Sequence, residues 1–155
     1  FCLANPRLRA TVYDLPETRP FADRTIQRFG LSGRVEFQAG NYLKDRIRGT
    51  YDVVLLSQIL HGEGPKDCGK IIRKAVSSLE RSGRIIVHEF ILNDSMDGPL
   101  HSALFSLNML LGTPSGQSYS ESQITDMLAK ACVKDIRRIP IETPNHSGII
   151  MGSAS

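Results

Sequence analysis

A histidine and a glutamate that end two neighbouring apolar segments are the side chains of this sequence best suited to proton transfer. His61 follows the apolar segment 51–58, and Glu89 lies near the end of the segment 84–92. A histidine beside a carboxylate is oriented by it and made a stronger base, so such a pair can remove a proton from a phenol or an alcohol. Spacing alone also allows a partly buried histidine that is satisfied by a nearby carboxylate and has no catalytic task.

Polar residues also follow two earlier segments with strand character. Asp14 comes after the segment 8–13, where a carboxylate can accept hydrogen bonds from ribose hydroxyls. Gly40 and Asn41 come after the segment 34–38 and can bring backbone and a side-chain amide against an adenine edge. The alternative for all three residues is a role in the turns that end these strands.

A zinc site is disfavoured by the spacing of the cysteines. His61-x-Glu63 resembles the start of the deaminase motif, but Pro65 and Cys68 are separated and no second cysteine follows three residues later. The sequence has three cysteines, Cys2, Cys68 and Cys132. An odd number without CxxC spacing predicts neither a disulfide framework nor a structural metal, and favours a reducing, cytoplasmic setting.

Composition narrows the class of protein. The 155 residues carry a formal charge of +3, and the basic residues are scattered without a run of five. This pattern predicts no nucleic-acid or polybasic membrane surface. No apolar run approaches the roughly 20 residues that span a bilayer, so we expect no membrane partner. A chain of this size, 41% hydrophobic, suits one domain.

Strand and helix segments alternate along the chain. Strands are predicted at 8–13, 34–38, 51–58, 84–92, 133–141 and 148–152. Helices are predicted from Pro20 to Gly30, from Pro65 to Ser82-Gly83, from Pro99 to Leu111, and after Ser120, which forms a capping box with Gln123. The residues predicted to be buried include Phe21, Ile26, Phe29 and, on both faces of its strand, the run 53–56. This order predicts an α/β fold with a largely parallel sheet, which binds ligands at the carboxyl ends of its strands.

Five segments, in their order and spacing, resemble the carboxyl-terminal domain of small-molecule O-methyltransferases. This family includes plant caffeate and flavonoid enzymes and bacterial hydroxyneurosporene and polyketide methyltransferases. The segments are ATVYDLP at 10–16, RVEFQAGN at 34–41, YDVVLLSQILH at 51–61, SGRIIVHE at 82–89 and LNML at 107–110.

The resemblance implies a Rossmann-like class I methyltransferase sheet that binds S-adenosylmethionine and ends in an antiparallel strand pair. The chain begins at Phe1, and its segments start at the second strand of that sheet. We therefore expect residues 1–155 to be an N-terminally truncated catalytic domain that lacks the first strand, which lies between the segments 8–13 and 51–58, and the glycine-rich loop. The intact protein is expected to be a homodimer.

The resemblance also assigns residues to the cofactor. Asp14 matches the acidic residue that holds the ribose, and Gly40-Asn41 matches a Gly-Asp pair at the adenine, with an amide in place of the acid. We also assign Ser57, at the end of the third segment, to the cofactor site.

The catalytic base of the family matches His61, and its orienting glutamate matches Glu89. Gly62 and Glu63 depart from the Asp-Trp that follows the family's histidine, and a second glutamate of plant members falls near Ser118. If Glu89 orients the base, Glu89→Gln is expected to slow the reaction less than loss of His61, because an amide still orients the imidazole.

We therefore predict methyl transfer from S-adenosylmethionine to a hydroxyl of a small-molecule acceptor. Asn108 and Met109 are predicted to line the acceptor pocket. Two alternatives stay open: a non-catalytic or regulatory relative that keeps cofactor affinity, and an enzyme of the same fold with chemistry other than methyl transfer.

Overall fold

The computed structural model describes residues 1–154, and Ser155, the last residue of the predicted domain, lies outside the described residues. The chain forms two compact units. The first is Phe1–Ile47, and the second begins at Arg48.

The first unit is built from two parallel strands and one helix. Its elements are β1 Ala10–Asp14, α1 Arg19–Arg28 and β2 Val35–Ala39. The strands pair from Ala10 opposite Val35 to Asp14 opposite Ala39 without a break in register. The carboxyl ends of β1 and β2 are therefore side by side, at Asp14 and Ala39.

The prediction of a buried face on α1 is wrong for two of its three residues. Phe21 is 68% exposed and Phe29 is 50% exposed, whereas Ile26 is partly buried. The buried apolar side chain of this unit's sheet is Phe37 on β2, whose ring lies 4.8 Å from the Arg19 guanidinium carbon. A helical stripe of apolar residues shows which side chains can be buried, but not what covers them.

The second unit contains a four-stranded sheet in the order β3, β4, β6, β5. The strands are β3 Tyr51–Ser57, β4 Leu79–Glu89, β5 Lys134–Ile139 and β6 Gly148–Ser153. β3 and β4 are parallel, whereas β6 is antiparallel to both β4 and β5. The predicted α/β class, with a carboxyl-terminal antiparallel pair, is confirmed.

Three helices belong to this unit, α2 Pro65–Ser77, α3 Leu100–Gly112 and α4 Glu121–Lys130. The capping box at the start of α4 is confirmed. The Ser120 hydroxyl accepts the backbone N–H of Gln123, and the Gln123 side chain accepts the N–H of Ser120 at 2.9 Å. Within residues 1–154, none of the helices is long and apolar enough to cross a membrane.

The core of the second unit lies on one face of its sheet, where α2 packs against β4 and α4 packs against β5 and β6. Its buried side chains include Ile71, Ile72 and Ala75 of α2, Ile124 and Leu128 of α4, and Ile85, Val87 and Ile150 of the sheet. On β3, Leu56 is buried, but Val53 and Leu55 are 48% and 41% exposed. The prediction that the run 53–56 is buried on both faces is therefore wrong.

The boundary between α2 and β4 also differs from the prediction. Ser82-Gly83 was expected to end the helix, but α2 ends at Ser77 and β4 already begins at Leu79. The pairing of β3 with β4 shifts register after Tyr51, which accommodates the extra residues as a bulge. Ser82 has a φ of 66°, so the bulge uses a left-handed residue that resembles a helix end in the sequence.

Within residues 1–154, four strands pair on one side only, β1, β2, β3 and β5. β1 pairs with β2 alone, and β3 pairs with β4 alone, within residues 1–154.

Candidate functional site

The candidate site of the second unit lies at the carboxyl end of β3. After Ser57 the chain makes a single 3₁₀ turn, Leu60–Gly62, which carries His61. Glu89 is the last residue of β4, the parallel neighbour of β3. Because parallel strands end at the same edge of a sheet, the turn and Glu89 meet there.

Glu89 joins the backbone of this turn to the imidazole. Its carboxylate is buried, with 2% of the residue exposed. Oε1 accepts the backbone N–H groups of Ile59 and Leu60, both at 2.8 Å, and Oε2 lies 2.7 Å from Nδ1 of His61. The structure thus brings together the two residues that the sequence proposed as a pair.

This geometry determines the tautomer of His61. A carboxylate only accepts hydrogen bonds, so Nδ1 of His61 carries the proton that it donates to Glu89. In the neutral imidazole, Nε2 then holds a lone pair. The His61 side chain is 16% exposed, so the imidazole ring that carries Nε2 is partly buried. The arrangement is able to accept a proton at Nε2.

Aromatic rings surround the imidazole on one side. The Phe105 ring stands nearly perpendicular to the imidazole of His61, at 85°, with 4.8 Å between the ring centroids, and the centroid of Phe90 lies 6.4 Å from that of His61. Phe90 also contacts Phe105 at 4.4 Å and His101 at 4.9 Å. Phe90 directly follows Glu89 in the sequence, and Phe105 lies on α3, yet neither was predicted to belong to the site.

The predicted pocket residues Asn108 and Met109 lie one helical turn after Phe105 on α3. Asn108 is exposed and Met109 is partly buried. The carbonyl of Met109 accepts both the N–H and the hydroxyl of Thr113, which ends the helix. Phe105, rather than either of them, makes the ring contact with His61.

Ser118 occupies the position near which plant members of the family that this sequence resembles have a second glutamate. Its hydrogen bonds are made to α3. It is 1% exposed, and its hydroxyl donates to the carbonyl of Ser102 at 3.1 Å. Its backbone N–H donates to the Ser106 hydroxyl at 3.1 Å. This residue therefore secures α3 and offers no carboxylate to His61.

Two buried side chains, Cys68 and Tyr119, donate hydrogen bonds to the backbone of the turn that carries His61. The Cys68 thiol donates to the carbonyl of Leu60 at 3.1 Å, and the Tyr119 hydroxyl donates to the carbonyl of Glu63 at 2.5 Å. Burial raises the pKa of the Cys68 thiol from 9.0 to about 11. Burial likewise raises the pKa of Tyr119 above its ordinary value, so both groups keep their protons and act as donors at neutral pH.

The residues considered for a zinc site have other partners. His61 binds Glu89, and Cys68 donates to the backbone of the turn. In the part of the chain that the structure describes, no group of three or more His, Cys, Asp or Glu side chains is arranged to hold a metal ion.

A chain of hydrogen bonds orients Ser57. Its hydroxyl lies 2.9 Å from Nδ1 of His88, and Nε2 of His88 lies 2.9 Å from the Ser147 hydroxyl. The Thr143 hydroxyl donates to the Ser147 carbonyl, and the Ser147 hydroxyl donates to Thr143. Since each hydroxyl has one proton, Nε2 of neutral His88 must donate to Ser147 and Nδ1 must accept from Ser57. Ser57 therefore offers only lone pairs to a ligand.

In the first unit, the structure brings Asp14 and Gly40 together. The N–H of Gly40 donates to the carbonyl of Asp14 at 2.9 Å. Oδ1 of Asp14 accepts the N–H of Leu15 at 2.7 Å, which leaves the second carboxylate oxygen for a ligand. A Cβ at Gly40 would overlap the Tyr13 ring, so only glycine fits this close approach.

Asn41 organises the loop after β2. Its Oδ1 accepts the N–H groups of Leu43 at 2.9 Å and Lys44 at 3.1 Å. Its own N–H donates to the Asp45 carboxylate at 2.8 Å. The side-chain oxygen is thus used by the turn, and the Nδ2 amide group is the part of Asn41 left to donate to a ligand.

Comparisons with known proteins agree with one another. A family model described as O-methyltransferase domain matches residues 2–134. The 3-hydroxy-5-methyl-1-naphthoate 3-O-methyltransferase of Streptomyces sahachiroi is 32% identical over 97% of this chain and 44% of that protein. An O-methyltransferase family 2 protein from Planctomyces limnophilus, solved with apigenin, is 30% identical with a TM-score of 0.91, over 99% of this chain and 45% of that one. Human N-acetylserotonin methyltransferase, solved with SAM, is 27% identical to this chain with a TM-score of 0.85. The match covers 98% of this chain and 42% of the human one. This chain spans less than half of each of these three proteins.

Proposed function

Because this chain belongs to the O-methyltransferase domain family, we propose that the protein transfers a methyl group from S-adenosylmethionine to a hydroxyl oxygen of a small molecule. The observation that carries the proposal is the hydrogen bond of 2.7 Å between Nδ1 of His61 and the buried Glu89. Among the relatives, the name of the Streptomyces enzyme specifies methylation of a hydroxyl, and the human enzyme is solved with SAM.

His61 is the general base of the proposed reaction. Nε2 removes the proton of the acceptor hydroxyl, and the resulting oxygen forms its bond to the methyl carbon while the methyl–sulfur bond breaks. Glu89 accepts the hydrogen bond of Nδ1–H throughout and, as a carboxylate, stabilises the imidazolium cation that forms. The carboxylate is 2% exposed, so water screens this interaction little. The proton then passes from His61 to solvent.

In each of the two units, taken by itself, residues carry groups that suit the cofactor, which would supply a methyl carbon on a positively charged sulfur. In the first unit, the second carboxylate oxygen of Asp14 is left to accept ribose hydroxyls. Gly40, whose missing side chain leaves room for the Tyr13 ring, is assigned to the adenine from the family resemblance. Asn41 can donate from Nδ2 to an adenine nitrogen, because its oxygen is held by the turn. Ser57 can accept a hydrogen bond, because its proton is donated to His88.

The aromatic rings around His61 suit a planar acceptor. Phe90 and Phe105 present apolar surface beside the base, which lowers the local access of water. Asn108 and Met109 extend the same helix by one turn and are proposed to line the far end of the pocket. Such surfaces would align the acceptor hydroxyl with the methyl group, and alignment contributes most of the acceleration in a displacement of this kind.

Two further features of the complete protein are proposed from the family resemblance and the cysteines. We propose a homodimer in a reducing, cytoplasmic setting. Within the described residues none of the three cysteines forms a disulfide, with Cys2 and Cys68 buried and Cys132 exposed, so these side chains need no oxidising compartment. Sedimentation of the purified complete protein tests the dimer, and a monomer at micromolar concentration would contradict it.

The proposed function is tested by measuring methyl transfer from labelled S-adenosylmethionine to a panel of hydroxyarenes, with matched amines as comparison acceptors. His61→Ala should lower the rate by roughly 10² to 10⁴ while S-adenosylhomocysteine binds as before. His146→Ala, an exposed histidine between β5 and β6, is the control and should keep the full rate. A His61→Ala enzyme with full activity would exclude the base assignment. A wild-type protein that binds S-adenosylhomocysteine but methylates none of the acceptors would support the binding alternative.

A further inference from the structure

The turn that carries His61 receives hydrogen bonds from two elements besides β4. Cys68, on α2, donates to the carbonyl of Leu60, directly before His61. Tyr119, in the segment before α4, donates to the carbonyl of Glu63, two residues after it. The two donors also lie 3.4 Å apart, Sγ to Oη. Both flanks of the histidine are therefore fixed by side chains that belong to other elements.

The segment that ends at Tyr119 also packs on the backbone of His61. A Cβ at Gly116 would overlap the carbonyl oxygen of His61 and would lie 3.1 Å from the carbonyl carbon of Gly62. Gly116 is held in this place by its N–H, which donates to the Thr113 hydroxyl at 2.7 Å. The contact joins backbone to backbone, so a displacement of this segment displaces the turn.

Tyr119 is itself firmly anchored. Its side chain lies in the core, with 2% of the residue exposed. Its carbonyl accepts the N–H of Leu92, and the Leu92 carbonyl accepts the N–H of Glu121, which starts α4. The Tyr119 hydroxyl is thus a fixed point against which the turn is placed, and the thiol of Cys68 beside it is equally buried.

We propose that Tyr119 is a positioning residue for the base, whose hydroxyl holds the His61 turn so that Nε2 keeps its place relative to the acceptor oxygen. The proposal rests on the proposed function, in which His61 takes the acceptor proton. Tyr119 acts through the turn and touches no reacting atom. Without its hydroxyl, the Glu63 carbonyl loses its shorter hydrogen bond and keeps the weaker contact with the Cys68 thiol at 3.4 Å, so the end of the turn is held less firmly and the ring of His61 loses its alignment.

The test compares two Tyr→Phe variants of the complete protein. Tyr119→Phe removes the bond to Glu63, and the matched control Tyr51→Phe removes an exposed bond of 2.7 Å to the carbonyl of Arg48. Tyr119→Phe should lower kcat by about tenfold or more, since misplacement of a catalytic group by about 1 Å costs up to about 100-fold. KM values and the affinity for S-adenosylhomocysteine should change by less than about twofold. Tyr51→Phe should leave all of these quantities unchanged, and equal kcat values for the two variants would overturn the proposal.

A double-mutant cycle separates positioning from general stability. In a His61→Ala background, Tyr119→Phe should change the remaining rate by less than about twofold, because the base that it positions is gone. An equal fall in both backgrounds would mean that Tyr119 acts on the whole site or on stability. That outcome would overturn the positioning role.

A nuclear magnetic resonance readout keeps this test distinct from the test of the proposed function. The Nδ1 proton of His61, in its bond to Glu89, should shift or broaden in Tyr119→Phe and stay in place in Tyr51→Phe. If His61→Ala proves fully active while this resonance shifts, the proposed function fails and the structural effect of Tyr119 on His61 stands. A resonance that does not move in Tyr119→Phe would overturn the positioning role.

Cys68 provides a second test if Tyr119→Phe does not fold. Cys68→Ser keeps a donor for the Leu60 carbonyl, whereas Cys68→Ala removes it. Cys68→Ala should lower kcat as described for Tyr119→Phe, and Cys68→Ser should recover most of that loss. Equal kcat values for the serine and alanine variants would show that hydrogen bonds to this turn do not set the position of His61.

Discussion

Replacement of Glu89 by glutamine tests how the structure fixes the proton on His61. The N–H groups of Ile59 and Leu60 can only donate, so they require an oxygen at the place of Oε1. In Glu89→Gln the amide oxygen takes that place, and the amide nitrogen faces Nδ1 of His61. Since the amide nitrogen is a donor, Nδ1 must become the acceptor. The proton of the neutral imidazole then moves to Nε2, the nitrogen that the reaction needs unprotonated.

The magnitude follows from what the amide keeps and what it loses. Both backbone hydrogen bonds survive, each weakened by about 1 kcal/mol through loss of charge, so the free energy of unfolding should fall by about 2 kcal/mol or less. The rate should fall by roughly 10² to 10⁴, the full contribution of a general base. The sequence alone predicts that Glu89→Gln slows the reaction less than loss of His61 does. The two N–H donors on Oε1 revise this expectation, because they force the amide nitrogen towards the imidazole.

The assay is steady-state methyl transfer from labelled S-adenosylmethionine, with calorimetry to show that S-adenosylhomocysteine still binds. Glu121→Gln is a matched control, because it makes the same chemical change at an exposed ion pair with Arg138, 2.8 Å apart, and should leave the rate unchanged. If Glu89→Gln retains more than a tenth of the wild-type rate, Glu89 does not dictate the tautomer of His61 and the reasoning is wrong.

Three further predictions concern the cofactor residues and the buried thiol. Asp14→Ala should weaken S-adenosylhomocysteine binding by about 1.5–3 kcal/mol, and an unchanged Kd in calorimetry would return Asp14 to a turn role. Asn41→Ala should leave the N–H groups of Leu43 and Lys44 without their acceptor and should weaken binding by about 1–3 kcal/mol, which the same calorimetry measures. Burial raises the pKa of Cys68 from 9.0 to about 11, so the unfolded chain ionises first and wild-type stability falls as pH rises through this window. Relative to Cys68→Ser, the fall should reach about 2 kcal/mol in denaturant unfolding, and a difference independent of pH would contradict the role of burial.

The arrangement of strands and the pairing of His61 with Glu89 follow from local features of the sequence. Apolar segments separated by helical patterns predict parallel strands, and residues at the ends of neighbouring parallel strands share an edge. The matched family model confirms the resemblance read from the motifs. The capping box at Ser120 was equally predictable, because its residues are three positions apart and need no tertiary contact.

Burial and the support of the base depend on contacts that the sequence does not show. Phe21 and Leu55 are apolar at positions that predict burial, yet both are exposed, because periodicity does not reveal which surface covers a side chain. The contact of Cys68 with Tyr119 joins residues 51 positions apart. Tyr119 directly precedes the capping residue Ser120, but its hydroxyl meets the carbonyl of Glu63 only in the folded chain.

The most direct test of the central claim, that His61 is the general base, measures methyl transfer to a series of phenols of increasing acidity. The wild-type rate should exceed the His61→Ala rate by roughly 10² to 10⁴ for a phenol that is protonated at the assay pH. For phenols that already ionise at that pH, the base has no proton to remove, and the ratio of the two rates should fall towards one. A ratio that stays constant across the series would contradict the account, because His61 would then contribute something other than proton removal.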